Sequence, residues 1–361
     1  MLHRFLTPAL VILVAFSAAS VFAQGAIEGQ RIYVCNQGEA TVSVIDVATN
    51  ELIDTIDLQE LGFSANASPH HTIAEPDGSY WYVTLIGDNR VLKFNRDNEL
   101  VDETEFEVPG LLTMHPDRET LFAGRSMSAV NPPGSFGIIN RSDMTLQEEV
   151  NLFFSRPHAI TNSPDGEWIY VGSLSVNQIL SMNPQSEDVN LTVLGGDAHA
   201  FVNFAISPDG TTLVATGQVS GDVLIFDIST PESPRLTDTI EVNAQPWHPI
   251  FSPDGRYLYF GNKGANTVTV IDMQNRSVDA VIEGDGLAQP HGAALSADGR
   301  YLYISNNNRA GGHQHDMDMT EMDSSMPGTV TVINTETRAI EKVIEVGVYA
   351  TGIGTNVRRD R

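Results

Sequence analysis

Six histidines of this chain recur at one place relative to one kind of turn. His70, His158 and His291 each lie six residues before a turn proline or the alanine that replaces it. His71 and His248 lie five before theirs, and His199 lies nine before Pro208. Proline directly precedes His70, His158 and His291. Imidazole is the commonest metal ligand and the usual proton carrier near neutral pH. A second group sits in residues 311–327, where His313, His315, Met317, Met319, Met322 and Met326 are set among acids, with no Lys or Arg after Arg309. Thioether sulfur is a soft ligand that selects Cu(I), and imidazole suits either copper state. Nickel and zinc gain nothing from methionine. The expected ligand is therefore copper, with these twelve residues as candidate metal ligands. Blander explanations stand beside that one. A histidine beside proline can serve only to bond a neighbouring strand, duplicated repeats inherit residues together, and a methionine-rich loop can cover apolar surface.

The elements that must position these residues show themselves as a repeat. An apolar strand, a turn of the Ser-Pro-Asp-Gly kind and an aromatic-rich strand recur along the chain. The turn proline appears at Pro76, Pro116, Pro164, Pro208 and Pro253, with Ala297 standing in for the sixth, at intervals of 40, 48, 44, 45 and 44 residues. Proline presets its own φ, Asp bonds locally and Gly accepts positive φ, so the motif is a turn with a mechanism. Alternating strands follow it, as in Tyr80-Trp81-Tyr82-Val83 and Tyr257-Leu258-Tyr259-Phe260. Four strands per unit at this period predict an all-β propeller. Residues 31–58 supply the last three strands of a blade, and Tyr349 to Val357 supplies a lone first strand. Joining the N- and C-terminal segments closes a seventh blade and removes two exposed edges. The expected organisation is one seven-bladed domain over 24–361 with a Met/His-rich insert at 309–327.

Strand polarity then collects the candidate ligands. Each histidine falls at the start of a blade's innermost strand, and the loop between second and third strands lies at the same end. The insert separates Tyr301–Ser305 from Thr329–Ile333, so it belongs to that end as well. Gly110 and Ala350 take the equivalent position in two blades, which leaves the ring incomplete. The one-residue difference in offset predicts that not all the histidines point inward together. His115 replaces the turn serine and belongs at the opposite end.

Tyr82-Val83-Thr84, Asn356 and the run Val42-Ser43-Val44-Ile45-Asp46-Val47-Ala48-Thr49-Asn50 resemble the YVTN-type propeller repeat family over nearly the whole chain. That resemblance implies an extracytoplasmic seven-bladed propeller and leaves activity open. The inward histidines also bear a distant resemblance to the propeller domain of nitrous oxide reductase. This chain departs from it in having one cysteine and no electron-entry copper domain.

Composition bounds the remaining possibilities. Asp and Glu number 46 against 20 Lys and Arg, for a formal charge of −26. Such a surface repels nucleic acid and anionic membranes. A polar start at His3 and Arg4, an apolar run over 5–16 and small residues up to Ala23 read as a secretory signal peptide. A periplasmic or secreted protein is expected, with cleavage after Ala23 and no membrane span. Cys35 is the only cysteine, so no disulfide framework or Cys₄ zinc site is available; its apolar strand makes it a buried hydrophobe. No G-x-S-x-G elbow, H-E-x-x-H pair or P-loop is present. Three functions follow from the residues: copper binding and handling, a copper-dependent oxidoreductase, and a cofactor-free scaffold for protein or glycan. The expected partners are a metal ion and a partner protein in the same compartment.

Overall fold

The computed structural model of the chain describes residues 29–127, 133–242, 244–308 and 326–357. The expected export signal and most of the Met/His-rich insert lie outside these. Seven four-stranded antiparallel sheets make up the described fold. The innermost strands are Pro69–Ala74, Pro109–Met114, Pro157–Asn162, Phe201–Ile206, Ile250–Phe251, Pro290–Leu295 and Ala350–Thr355, and each touches the next around the axis. We number the blades 1 to 7 in that order. Blade 7 is composite: Ala350–Thr355 pairs with Arg31–Asn36, through Ile32 with Thr355 and Val34 with Ile353. Gln30 sews this seam to blade 6. Its amide donates to Leu295 O (3.2 Å) and Thr355 Oγ1 (2.9 Å), and its carbonyl accepts from the Ala297 N–H (2.9 Å).

The turns are built as their chemistry predicts. In Ser207, Ser252 and Ser296 the hydroxyl donates to the turn aspartate at 2.6 Å. The same oxygens accept the N–H groups of Thr212, Tyr257 and Tyr301 at 2.8–3.0 Å. Gly210, Gly255 and Gly299 close these turns at φ near +70°, which a side chain resists. His115 does the serine's work in blade 2, its Nδ1 accepting from the N–H groups of Asp117 (3.1 Å) and Arg118 (3.0 Å). The sequence expectation for His115 holds: it is a turn residue remote from the other histidines.

The core lies between blades. Trp81 is sandwiched by Tyr33 of the preceding blade (centroids 4.6 Å apart) and Phe94 (4.2 Å). Cys35 is fully buried in the same apolar cluster. The outer strands are polar, and Leu100–Glu105 alternates half-buried and exposed positions with acids among them. Charged outer edges keep the blades from adding a further strand.

Candidate functional site at the axial mouth

Every innermost strand is entered in the same unusual way. The residue before it is non-glycine with positive φ: Ser68 (52°), Val108 (46°), Arg156 (52°), Ala200 (56°), Gln289 (55°) and Tyr349 (57°); in blade 5 Gln245 (52°) takes this place before Pro246, which bridges to Asn262 ahead of the strand. Five of these precede a proline, where the α conformations are further disfavoured. The strained entry also occurs in blades 2 and 7, which carry no histidine there, so it belongs to the architecture. A β-bulge follows. In blade 1 Pro69 pairs with Leu85 but Thr72 with Val83, and in blade 6 Pro290 pairs with Asn306 but Ala293 with Ile304. The additional residue breaks the alternation of faces. Two successive side chains of one strand therefore reach the axis, contrary to the simple two-residue period.

Five imidazoles from four blades meet there. The His70 ring centre lies 6.2 Å from that of His158 and 6.4 Å from that of His291. His248 is 5.0 Å from His291 and 6.4 Å from His71. Both His70 and His71 take part, because the bulge brings the two adjacent offsets to the axis. His199 does not join the cluster. Its Nδ1 lies 2.9 Å from Ser220 Oγ and 3.5 Å from Asp222, and its ring stacks on Phe201. The longer offset of nine residues was the signal of that difference. Register also replaces Ala350 by Thr351 at the histidine-equivalent place of blade 7, because Ala350 pairs as Pro69 and Pro290 do. Gly352 keeps the neighbouring wall thin: a Cβ there would lie 2.1 Å from His70 O and 2.7 Å from His71 Cα.

The stem of the insert stands at the same end. Asn306 pairs with Pro290 on one side and Thr329 on the other. Asn307 and Asn308 N–H groups bond Gln289 O and Ala288 O, and Asn308 Nδ2 donates to Pro327 O at 2.7 Å. Met326 is exposed beside that stem. His313, His315, Met317, Met319 and Met322 lie outside the described residues.

Hydrogen bonds fix the protons of two rings. The Leu112 N–H donates to His71 Nδ1 (3.1 Å), so the neutral His71 ring carries its proton on Nε2. His158 Nδ1 donates to Arg125 O (3.0 Å), which leaves Nε2 as the lone pair. A ring N–H held by a backbone carbonyl is how metal-ligating histidines are commonly oriented. Both contacts also tie neighbouring blades together, as the bland explanation requires. The rest is not explained by that. Both nitrogens of His70, Nε2 of His248 and Nδ1 of His291 are buried without a hydrogen-bond partner.

Burial depresses all five pKa values. It holds His71 and His158 down at about 4, with neighbouring imidazole charge assisting at His71 and Arg156 at His158. His70, His248 and His291 are pushed well below the ordinary value by burial first, then by neighbouring imidazoles of the cluster and by Lys263. At neutral pH the mouth is thus a set of uncharged rings.

Two further residues escaped the sequence reading. Trp247 follows Pro246 as His70 follows Pro69, and its ring lies 5.2 Å from that of His291. Lys263 places Nζ 4.5 Å from the Trp247 ring centre. Its loop, Gly261-Asn262-Lys263-Gly264, reads as a mere turn, although the chain has only three lysines.

The ring separations can be compared with what an ion needs. With a metal–nitrogen bond of about 2.0 Å, an imidazole centre lies about 3.2 Å from the ion. Two rings on a tetrahedral ion are then about 5 Å apart, and no two rings on one ion exceed about 6.4 Å. His248 and His291 meet the tetrahedral separation, whereas the pairs involving His70 stand at the outer limit. Among the described residues, no group of three or more His, Cys, Asp or Glu is close enough to hold a metal as the side chains stand.

Comparison with known proteins supports the fold. A functionally unknown protein from Desulfotomaculum acetoxidans superposes with a TM-score of 0.71 at 16% identity, covering 91% of this chain and 99% of that one. A putative 6-phosphogluconolactonase from Bacteroides uniformis gives 0.67 at 16% identity, with 91% and 99% covered. Kuenenia stuttgartiensis hydrazine synthase gives 0.60 at 22% identity, with 74% and 77% covered. No curated protein matches the sequence. The family model that matches names a related propeller family and does not confirm the resemblance to the YVTN-type repeat or to nitrous oxide reductase. Over residues 22–247 that model is "Lactonase, 7-bladed beta-propeller", and the chain belongs to this family.

Proposed function

We propose that this is an exported copper-binding propeller whose axial mouth takes up Cu(I) through His70, His158, His248 and His291. The observation that carries the reading is the set of buried imidazole nitrogens without partners at one point of the axis. An unpaired buried polar atom costs about 1–3 kcal/mol, and a cuprous ion would satisfy several such atoms at once. Cu(I) accepts two to four soft or borderline neutral ligands, so the lack of a carboxylate among the rings is no obstacle. Drawing the His70 ring inward by about 1 Å would bring the longer pairs to ligand distance. His71, with its proton on Nε2, would act as a hydrogen-bond donor rather than a ligand. The methionines of 311–327 are soft donors, and with the histidines beside them in the sequence they favour copper over zinc. Competition with a chromophoric cuprous chelator under anaerobic conditions tests this. Retained copper should fall when His70, His158 and His291 are changed together to Ala, and equal retention would refute the site.

Family membership favours a second reading, lactone ring opening at the same mouth. Its difficulty is basicity. A general base works best with a pKa near the working pH, whereas burial has driven these rings far lower. Hydrolysis of simple lactones by metal-free protein would establish the second reading in place of the first.

A further inference from the structure

The mouth holds unpartnered ring N–H groups and an ammonium group, in a chain whose overall charge is −26. His71 must present an Nε2–H, because its Nδ1 is occupied by the Leu112 N–H. His70 is 5% exposed and neither ring nitrogen has a partner, so whichever nitrogen bears the proton is a donor without an acceptor. The indole N–H of Trp247, 3% exposed, also lacks an acceptor. Beside them the Lys263 ammonium lies over the Trp247 ring at 4.5 Å. The strand-end bridge from Asn262 to Pro246 and the bond from Lys263 N to Gln245 O (3.1 Å) fix that lysine's backbone at the rim. Among the described residues no carboxylate pairs with Lys263. The histidine ion pair that the described residues do contain, His199 with Asp222, is outside the cluster. A lysine left facing neutral rings and unpartnered N–H groups is the donor set of an anion site.

We propose that the axial mouth binds a small anion of the inorganic or carboxylate class, with Lys263 supplying the charge, and the buried ring N–H groups of His70 and Trp247 and the half-buried His71 Nε2–H supplying hydrogen bonds. This inference does not rest on the copper reading. It uses His71, Trp247 and Lys263, which that reading leaves without a ligand role, shares only His70 with it, and applies to the metal-free protein. Were both to hold, the anion would sit next to the cuprous ion.

The test is a titration of metal-free full-length protein with sodium thiocyanate and, separately, sodium acetate at constant ionic strength, followed calorimetrically. Saturable binding of at least one of the two anions at one site per chain is expected, weakened at least about tenfold in Lys263→Met, since Lys263 is half-buried and loss of a charged hydrogen-bond partner commonly costs that much. Lys342→Met is the control, because Lys342 faces Glu51 (3.9 Å) at the surface, and it should bind as the parent does. Absence of saturable binding of either anion, or equal binding in Lys263→Met, overturns the proposal. Thermal melting of Lys263→Met shows that the variant is folded. Failure of copper retention with intact anion binding would sink only the copper reading, and the reverse outcome only this one.

Discussion

Acid should unfold this propeller through its buried histidines before its carboxylates titrate. His71 and His158 are held at about 4 by burial, against about 6.5 in an unfolded chain. The sign follows from which state takes up protons. Above about pH 6.5 neither state protonates these rings, and between about 6.5 and 4 only the unfolded state does. Stability is therefore full at neutral pH, falls through that window, and levels off for these two groups below about 4. Between pH 7 and 5 each ring removes about 2 kcal/mol, so the pair removes about 4 kcal/mol, a large part of an ordinary domain's stability. The assay is the urea midpoint at pH 7, 6 and 5 for the parent and for the double variant His71→Asn, His158→Asn. Asn is chosen because its carbonyl can accept from the Leu112 N–H and its amide can donate to Arg125 O, as the two Nδ1 atoms do. The variant should be less stable at pH 7, yet its stability should fall less steeply near pH 5, by about 2 kcal/mol per pH unit. Identical slopes in the two proteins would refute the claim that these rings are buried and uncharged.

Other consequences are more local. Trp81→Ala removes the centre of the Tyr33–Trp81–Phe94 stack and should cost about 3–5 kcal/mol, read as a lowered urea midpoint. Gly352→Ala must push a Cβ into the His70 backbone oxygen, so it should lower the melting temperature and reduce copper retention together. Gln30→Ala strips the blade 6–7 seam and leaves the Ala297 N–H without its partner, which should cost about 1–3 kcal/mol, measured as faster unfolding in urea.

The propeller was legible because its turn chemistry is local. Ser207, Ser252 and Ser296 bond an aspartate two residues on, and such a pattern survives in a single sequence. The split blade was legible too, since residues 31–58 carry three strands of a blade and Tyr349 to Val357 carries the first strand they lack. The gathering of histidines at one end followed from strand polarity alone. What escaped was how many rings converge. That depends on the bulge between Pro69 and Thr72, which is a property of pairing with Leu85 and Val83 and leaves no mark on residue type. The same one-residue slip made Ala350, rather than Thr351, look equivalent to His70. Lys263 and Trp247 were missed for another reason. A lone lysine in a Gly-rich turn and a tryptophan beside a histidine gain meaning only when the blades close and bring blade 5 against blades 1 and 6.

Crystals of the full chain loaded with Cu(I), with diffraction recorded on both sides of the copper absorption edge, would interrogate the mouth most directly. An anomalous peak on the propeller axis, bonded to ring nitrogens of His291 and at least one of His70, His158 and His248, is the expected result. Copper found only away from the axis, or bound nowhere at all, would contradict it.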